Sequence, residues 1–273
     1  MLQGIALHAG VQTSVTLALC DGPTVIEQHG VIARLDELRV QRADRGVAVV
    51  DPTGRLRVDL IEHLMAAVGA LGLERGVHIS IEGPEAPLLD GGAKQLALGL
   101  RSTGARPCAP TRRIARRARF EVAGASFELE PSDRILLHVA VEYDHPLIQE
   151  KTAAWHGDAV DFVERIAAAR TYGFLSEAQA LRATARARGA NTHDVIVLCD
   201  DGTSISDPLP LPDECVRHKL LDLIGDLTLG GGLPIGTIRA LRPGHRATHE
   251  MLALAQQQGV FAPTPAIESE PCA

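Results

Sequence analysis

With 273 residues, 45% of them hydrophobic and 22% charged, the chain is large enough for two compact domains or one large one and is not a disordered sequence. Its longest apolar run, residues 64–73, is broken by glycine and falls well short of the roughly 20 residues of a membrane helix. A formal charge of −7 argues against nucleic-acid binding, and five scattered cysteines (Cys20, Cys108, Cys199, Cys215 and Cys272) without a C-x-x-C pair argue against a disulfide framework or a cysteine zinc cluster.

The N-terminal MLQGIALHAG lacks the basic and apolar parts of a secretory signal, which predicts a cytoplasmic protein without stable membrane insertion. Alternation of apolar and polar residues predicts strands over 11–19 and 77–81, with a helix over 61–71 between them. The Pro/Gly-rich segment TGARPCAP, residues 103–110, then predicts a domain boundary: 1–106 as an N-terminal α+β domain and 107–261 as a C-terminal one. The five arginines of TRRIARRARF, from Arg112 to Arg119, read as the solvated face of the next strand or an anion-binding patch.

Strands are expected over 120–129, 135–141 and 195–199, and helices over 160–170 and 177–188. Asp213 is placed to cap a helix over 214–229, and residues 262–273 (beginning APTP) read as a disordered tail. Strands and helices mix in each half without sustained βαβ alternation, so the fold class is α+β rather than one doubly wound sheet. No glycine-rich phosphate loop follows a strand, which removes the usual signature of nucleotide hydrolysis and hydride transfer.

Chemistry concentrates on two helices. His218, Asp222 and Asp226 recur every four residues, about 40° apart around a helix axis, and therefore share one face. An imidazole and a carboxylate one turn apart suit zinc, although the same spacing fits an ordinary hydrogen-bonded helix surface. Glu62 and His63 in IEHLMAA add a histidine ligand beside a carboxylate able to take a proton from water at a metal. His63, His218 and Asp222 together would leave one tetrahedral position open, the pattern of a catalytic zinc site at a domain interface. His245 and His249, four residues apart in GHRATHE, form a rival metal pair. The other histidines read as structural or surface residues, and Leu220, Leu223, Ile224 and Leu227 as core.

The segments GIALHAG, IEHLMAA, APLLDGGA, EYDHP, ARTYGF, VRHKLLDLIGDL and the Gly244–His245 pair occur in that order, and over nearly its whole length the chain resembles the UDP-3-O-acyl-N-acetylglucosamine deacetylase family. The resemblance implies two similar α+β domains with helices sandwiched between two β-sheets. It also implies the zinc-dependent removal of an N-acetyl group from a UDP-linked, 3-O-acylated amino sugar in lipid A biosynthesis, by a monomer holding one Zn²⁺. His63, His218 and Asp222 match the zinc ligands, and Glu62 matches the general base. His245 matches the group that stabilises or protonates the departing amine, with Asp226 orienting it. Thr171 matches the hydroxyl near the developing oxyanion, and Lys219 a lysine that touches substrate.

Tyr143 stands where the family has a phenylalanine beside uracil, with Glu142 next to it. Arg242 stands in place of a lysine near the diphosphate, and Tyr172 and Phe174 of ARTYGF join the substrate-binding set. Some segments depart from the family pattern. The chain begins closer to GIALHAG, the stretch 31–59 is short for the insertion of the first domain, and GLERGV, RGANTHDVIV and GHRATHE differ from the usual residues. These departures mark a divergent member or a paralogue, so a zinc amidase for another N-acylated sugar and a non-catalytic zinc-containing binding protein stand as the alternatives.

Overall fold

A computed structural model describes residues 1–43 and 46–265. The first half contains β1 (Leu2–Ile5), β2 (Gln12–Pro23), β3 (Val25–Gln28), β4 (Val31–Arg34), β5 (Arg39–Ala43), β6 (Gly46–Val50), β7 (Arg57–Asp59), α1 (Glu62–Ala70), β8 (Arg75–Glu82) and α2 (Lys94–Ser102). The second contains β9 (Arg112–Ile114), β10 (Ala118–Val122), β11 (Ala125–Glu130), β12 (Ile135–Ala140), β13 (Thr152–Trp155), α3 (Ala159–Asp161), β14 (Tyr172–Phe174), α4 (Leu175–Ala183), β15 (Ile196–Leu198), α5 (Glu214–Leu229), β16 (Gly236–Leu241), α6 (His245–Gln257) and β17 (Phe261–Pro263).

Two five-stranded sheets, β1-β2-β8-β3-β4 and β10-β11-β16-β12-β13, obey one rule. In each, the last strand enters antiparallel to the second and parallel to the third, and the outer pairs are antiparallel. A parallel pair needs a crossover, and here the crossover carries the helix that precedes the last strand, α1 in one half and α5 in the other. The smaller β5-β6-β7 sheet is inserted before α1, and the parallel pair β14-β15 with α4 before α5.

The helices pack between the two sheets, with α1 directly against α5. Eight of the nine residues of α1 are buried, as are fourteen of the sixteen of α5. Helices apolar around most of their circumference belong in a core, and their few polar residues must then satisfy one another. Leu220, Leu223, Ile224 and Leu227 are at most 1% exposed, as core residues should be. Glycine permits the close crossing. A Cβ on Gly225 would lie 2.2 Å from the Glu62 carbonyl oxygen, and one on Gly69 would lie 1.9 Å from Thr228 Oγ1.

Several elements differ from expectation for identifiable reasons. The single strand expected over 120–129 is the hairpin β10-β11, turned by Ala123 and Gly124 at positive φ. The helix expected over 160–170 stops early: α3 passes into a π turn over Phe162–Ile166, a turn follows at Ala167 and Ala168, and residues 169–171 leave helical form under contacts described below. The helix expected over 177–188 is α4, which starts at Leu175 and ends at Ala183. Asp213 sits at the start of α5 but caps no backbone N–H; it accepts from Arg217 Nη2 at 2.9 Å instead.

Arg112 is no surface arginine either. It donates to the carbonyls of Leu227, Gly230 and Gly232, satisfying the C-terminal end of α5, and lies 4.5 Å over the Phe261 ring. The expected loose tail begins in structure: Ala262 and Pro263 belong to β17, paired with β9, whereas residues 266–273 lie outside the described residues.

Candidate active site and metal centre

Leu60, at a positive φ of 53°, turns the chain into α1 so that Glu62 and His63 occupy its first turn, facing α5. Glu62 is 3% exposed, and its Oε2 accepts the backbone N–H of Val47 in β6 at 3.0 Å. Burial pushes its carboxyl up to about 7 against the opposing charge of His245. A carboxylate with that proton affinity is suited to accepting and returning a proton near neutrality.

His63 and His218 approach edge to face, with ring centroids 5.0 Å apart. Their Nε2 atoms lie 3.8 and 3.4 Å from one oxygen, Asp222 Oδ1. That oxygen is buried and has no hydrogen-bond partner, while Oδ2 accepts from Lys219 Nζ at 2.7 Å. On its other side His218 Nδ1 faces the Ala169 carbonyl at 3.1 Å. A carbonyl only accepts, so Nδ1 carries the proton and the Nε2 lone pair is left facing Asp222.

Burial, reinforced by His218, lowers His63 to about 3, and burial likewise lowers His218. Asp222 lies below the usual carboxylate range because Lys219 and the surrounding histidines outweigh its burial. Two neutral imidazoles and one ionised carboxylate form the donor set zinc takes, and the three ligand atoms lie within 4.8 Å of one another. The residues therefore fit the metal. An unpartnered buried carboxylate oxygen aimed at two lone pairs is costly until a cation sits among them.

His245 begins α6, and its Nδ1 lies 2.9 and 3.1 Å from the two oxygens of Asp226. Its Nε2 points back to Glu62 Oε1 at 3.6 Å and Asp222 Oδ2 at 4.0 Å. Burial opposes its charge, but Asp226 and Asp222 prevail and raise it to about 10, so the ring is an imidazolium at neutral pH. A helix N-terminus disfavours a cation, which makes the Asp226 contact the decisive one. His249 Nε2 lies 3.2 Å from the same carboxylate. The rival His245/His249 metal pair is thus corrected: both rings turn to Asp226, and the metal-competent group among the described residues is His63, His218 and Asp222.

A cleft of about 400 Å³ opens over these residues. Glu62, His63, Thr171, Lys219 and His245 line it together with Tyr143, Tyr172 and Phe174. Tyr143 meets Tyr172 edge-on and Phe174 at a tilt, each at 5.9 Å between centroids. Glu142 and Arg242 do not line the cleft; they pair with each other at 3.3 Å and are more than half exposed.

Leu7, Leu88, Leu181, Val195, Val197 and Ile205 also line the cleft and give it an apolar wall. Sequence reasoning found α4 and β15 as elements without seeing that they wall a cavity. It also missed His8, which lines the same cleft, and the Val47 N–H on Glu62, for which no residue type is a signal because every residue but proline has one.

Comparison with known proteins points to one family. A family profile described as UDP-3-O-acyl N-acetylglycosamine deacetylase (LpxC) matches residues 1–256. The UDP-3-O-acyl-N-acetylglucosamine deacetylase of Myxococcus xanthus is 31% identical over 258 residues, covering 92% of this chain and 82% of that protein. The protein of the same description from Brucella melitensis biotype 1 is 33% identical over 271 residues, covering 95% and 94%. That from Nautilia profundicola is 33% identical over 263 residues, covering 90% and 85%.

Proposed function

The chain belongs to the LpxC family of UDP-3-O-acyl-N-acetylglucosamine deacetylases, zinc-dependent enzymes of lipid A biosynthesis, and from that premise we propose how its own residues hydrolyse the acetamide of a UDP-linked, 3-O-acylated N-acetylglucosamine. The observation that carries the reading is the buried Asp222 Oδ1, unpartnered and facing two imidazole nitrogens, with Glu62 and His245 close by and 3.6 Å from each other.

His63, His218 and Asp222 would hold one zinc ion, which would supply a Lewis acid for the amide carbonyl and lower the pKa of water to about 7. Glu62 takes the proton of the attacking water, its carboxyl held by Val47 so that one oxygen faces the cleft. The amide C–N bond breaks as His245, charged through Asp226, gives a proton to the nitrogen, releasing acetate and the free amine. The Thr171 hydroxyl and the Lys219 ammonium stand on the cleft wall where negative charge develops on the former carbonyl oxygen.

Tyr143, Tyr172 and Phe174 offer aromatic faces for the sugar nucleotide, Arg242 with Glu142 the rim toward the diphosphate, and the apolar wall a place for the acyl chain. No described helix is long and apolar enough to cross a membrane, and the proposed setting is a monomer in the cytoplasm. The two duplicated halves are taken as domains 1–106 and 107–261. The test is acetate release by mass from the zinc-loaded protein, given UDP-3-O-acyl-N-acetylglucosamine and analogues lacking the acyl group or UDP. Release from the complete substrate, falling as each part is removed, is expected; none from any N-acetylated sugar overturns the reading. Calorimetry with UDP, weakened by Tyr143→Ala and Arg242→Ala, tests the nucleotide site separately.

A further inference from the structure

Between the π turn and β14, three successive residues meet three parts of the site. The Ala169 carbonyl faces His218 Nδ1, and Thr171 lines the cleft. Arg170 between them does not line the cleft, yet each of its three guanidinium nitrogens donates. Nε and Nη2 donate to the two oxygens of Glu214 at 2.8 and 3.2 Å, and Nη1 donates to the His193 carbonyl at 3.0 Å. The Glu214 carboxylate also accepts the Arg170 backbone N–H at 3.1 Å and that of Leu211 at 3.0 Å. The two residues are 8% and 4% exposed.

A buried ion pair adds little to folding stability beyond what packed apolar residues would give, so stability alone does not account for it. A forked arginine–carboxylate contact does fix direction, because its two parallel bonds admit one orientation. Glu214 opens α5 one turn before His218. The pair therefore ties the segment that orients the His218 ring to the helix that carries it. The next residue along is fixed from other directions: the Thr171 N–H donates to the Gly91 carbonyl, and its own carbonyl accepts from Ile196, both at 2.8 Å.

We propose that Arg170 and Glu214 are positioning residues for the deacetylation. Their pair holds the Ala169 carbonyl where it keeps His218 in the tautomer that presents Nε2 to the metal. This rests on the zinc-site reading above, and the assignment extends the site by two residues that touch neither metal nor substrate.

The test compares Arg170→Lys, which keeps the charge and loses the fork, with Glu214→Gln, which keeps the shape and loses the charge. Zinc affinity is read by competition with a chromophoric chelator, fold by circular dichroism and thermal unfolding of the zinc-free proteins, and turnover by acetate release. Both variants are expected to keep the fold and KM, while zinc affinity and kcat each fall about 10- to 100-fold, the usual effect of disturbing the partners of a metal-bound histidine. Wild-type zinc affinity and kcat in folded variants overturn the proposal. Loss of tertiary structure in both variants also overturns it, because the pair is then a support of the fold rather than of the site. If the wild-type protein itself takes up no zinc, that titration alone refutes the zinc reading and the proposal falls with it.

Discussion

The two halves share a strand order and carry different loads. The first half delivers Glu62 and His63 from the opening turn of a nine-residue helix; the second delivers His218, Asp222 and Asp226 from successive turns of a sixteen-residue one. Their insertions differ as well. The β5-β6-β7 sheet reaches Glu62 through the Val47 N–H, whereas α4, β14 and β15 wall the cleft. Neither half owns three ligands. A duplicated scaffold gains a reaction centre only where its copies cross, and the crossing of α1 with α5 fixes the distance between the proposed metal ligands and the proposed base.

The comparison breaks most completely at the ligands. His63→Ala should remove zinc and activity as fully as His218→Ala or Asp222→Ala, though it takes one ligand from the half that supplies only one. Metal content by atomic emission checks this, and His249→Ala should leave the metal in place. The next largest effect belongs to the proton carriers, one from each half: Glu62→Gln and His245→Gln should retain zinc and lose about 10² to 10⁴ in kcat. Single-turnover acetate release reads that loss on the chemical step itself.

Gly225→Ala sharpens the role of the crossing. A Cβ placed 2.2 Å from the Glu62 carbonyl oxygen must push α1 away, at a cost of about 1 to 3 kcal/mol by denaturant unfolding and with activity lost along with it. The smallest effect is the pH dependence of the second half. Burial would raise Glu214, but its bonds with Arg170 outweigh this and hold the carboxyl below its ordinary value. The stability it contributes is therefore full above the unfolded carboxylate pKa and lost as pH falls through the lower folded one. Acid unfolding of Glu214→Gln should show a flatter stability curve in that range than the wild type.

What was legible in the sequence follows from how local each cause is. The α5 helix matched its expected span because its periodicity lies within its own residues, and the i, i+4 spacing of His218 and Asp222 placed both ligands on one face. The ligand trio was readable because residue type limits what can bind zinc, and the α+β class because each half mixes its elements. The hairpin at Ala123 and Gly124 was not, since one glycine is a weak turn signal inside an apolar run. Residues 167–170 read as helix by pattern but leave it under tertiary contacts with Ala93, His193 and Glu214, which no local window contains. The apolar wall stayed hidden because cavity-lining and core leucines are the same residues until the fold separates them.

The cleft wall has a consequence for how such a protein can change over time. Leu181, Val195, Val197 and Ile205 stand on α4, β15 and their connections, a segment inserted between β13 and α5, while the proton carriers and ligands stand on the helices of the duplicated scaffold. Under the proposed reading, replacements on this inserted segment are expected to change the acyl chain accepted, and replacements on α1 and α5 to change hydrolysis itself.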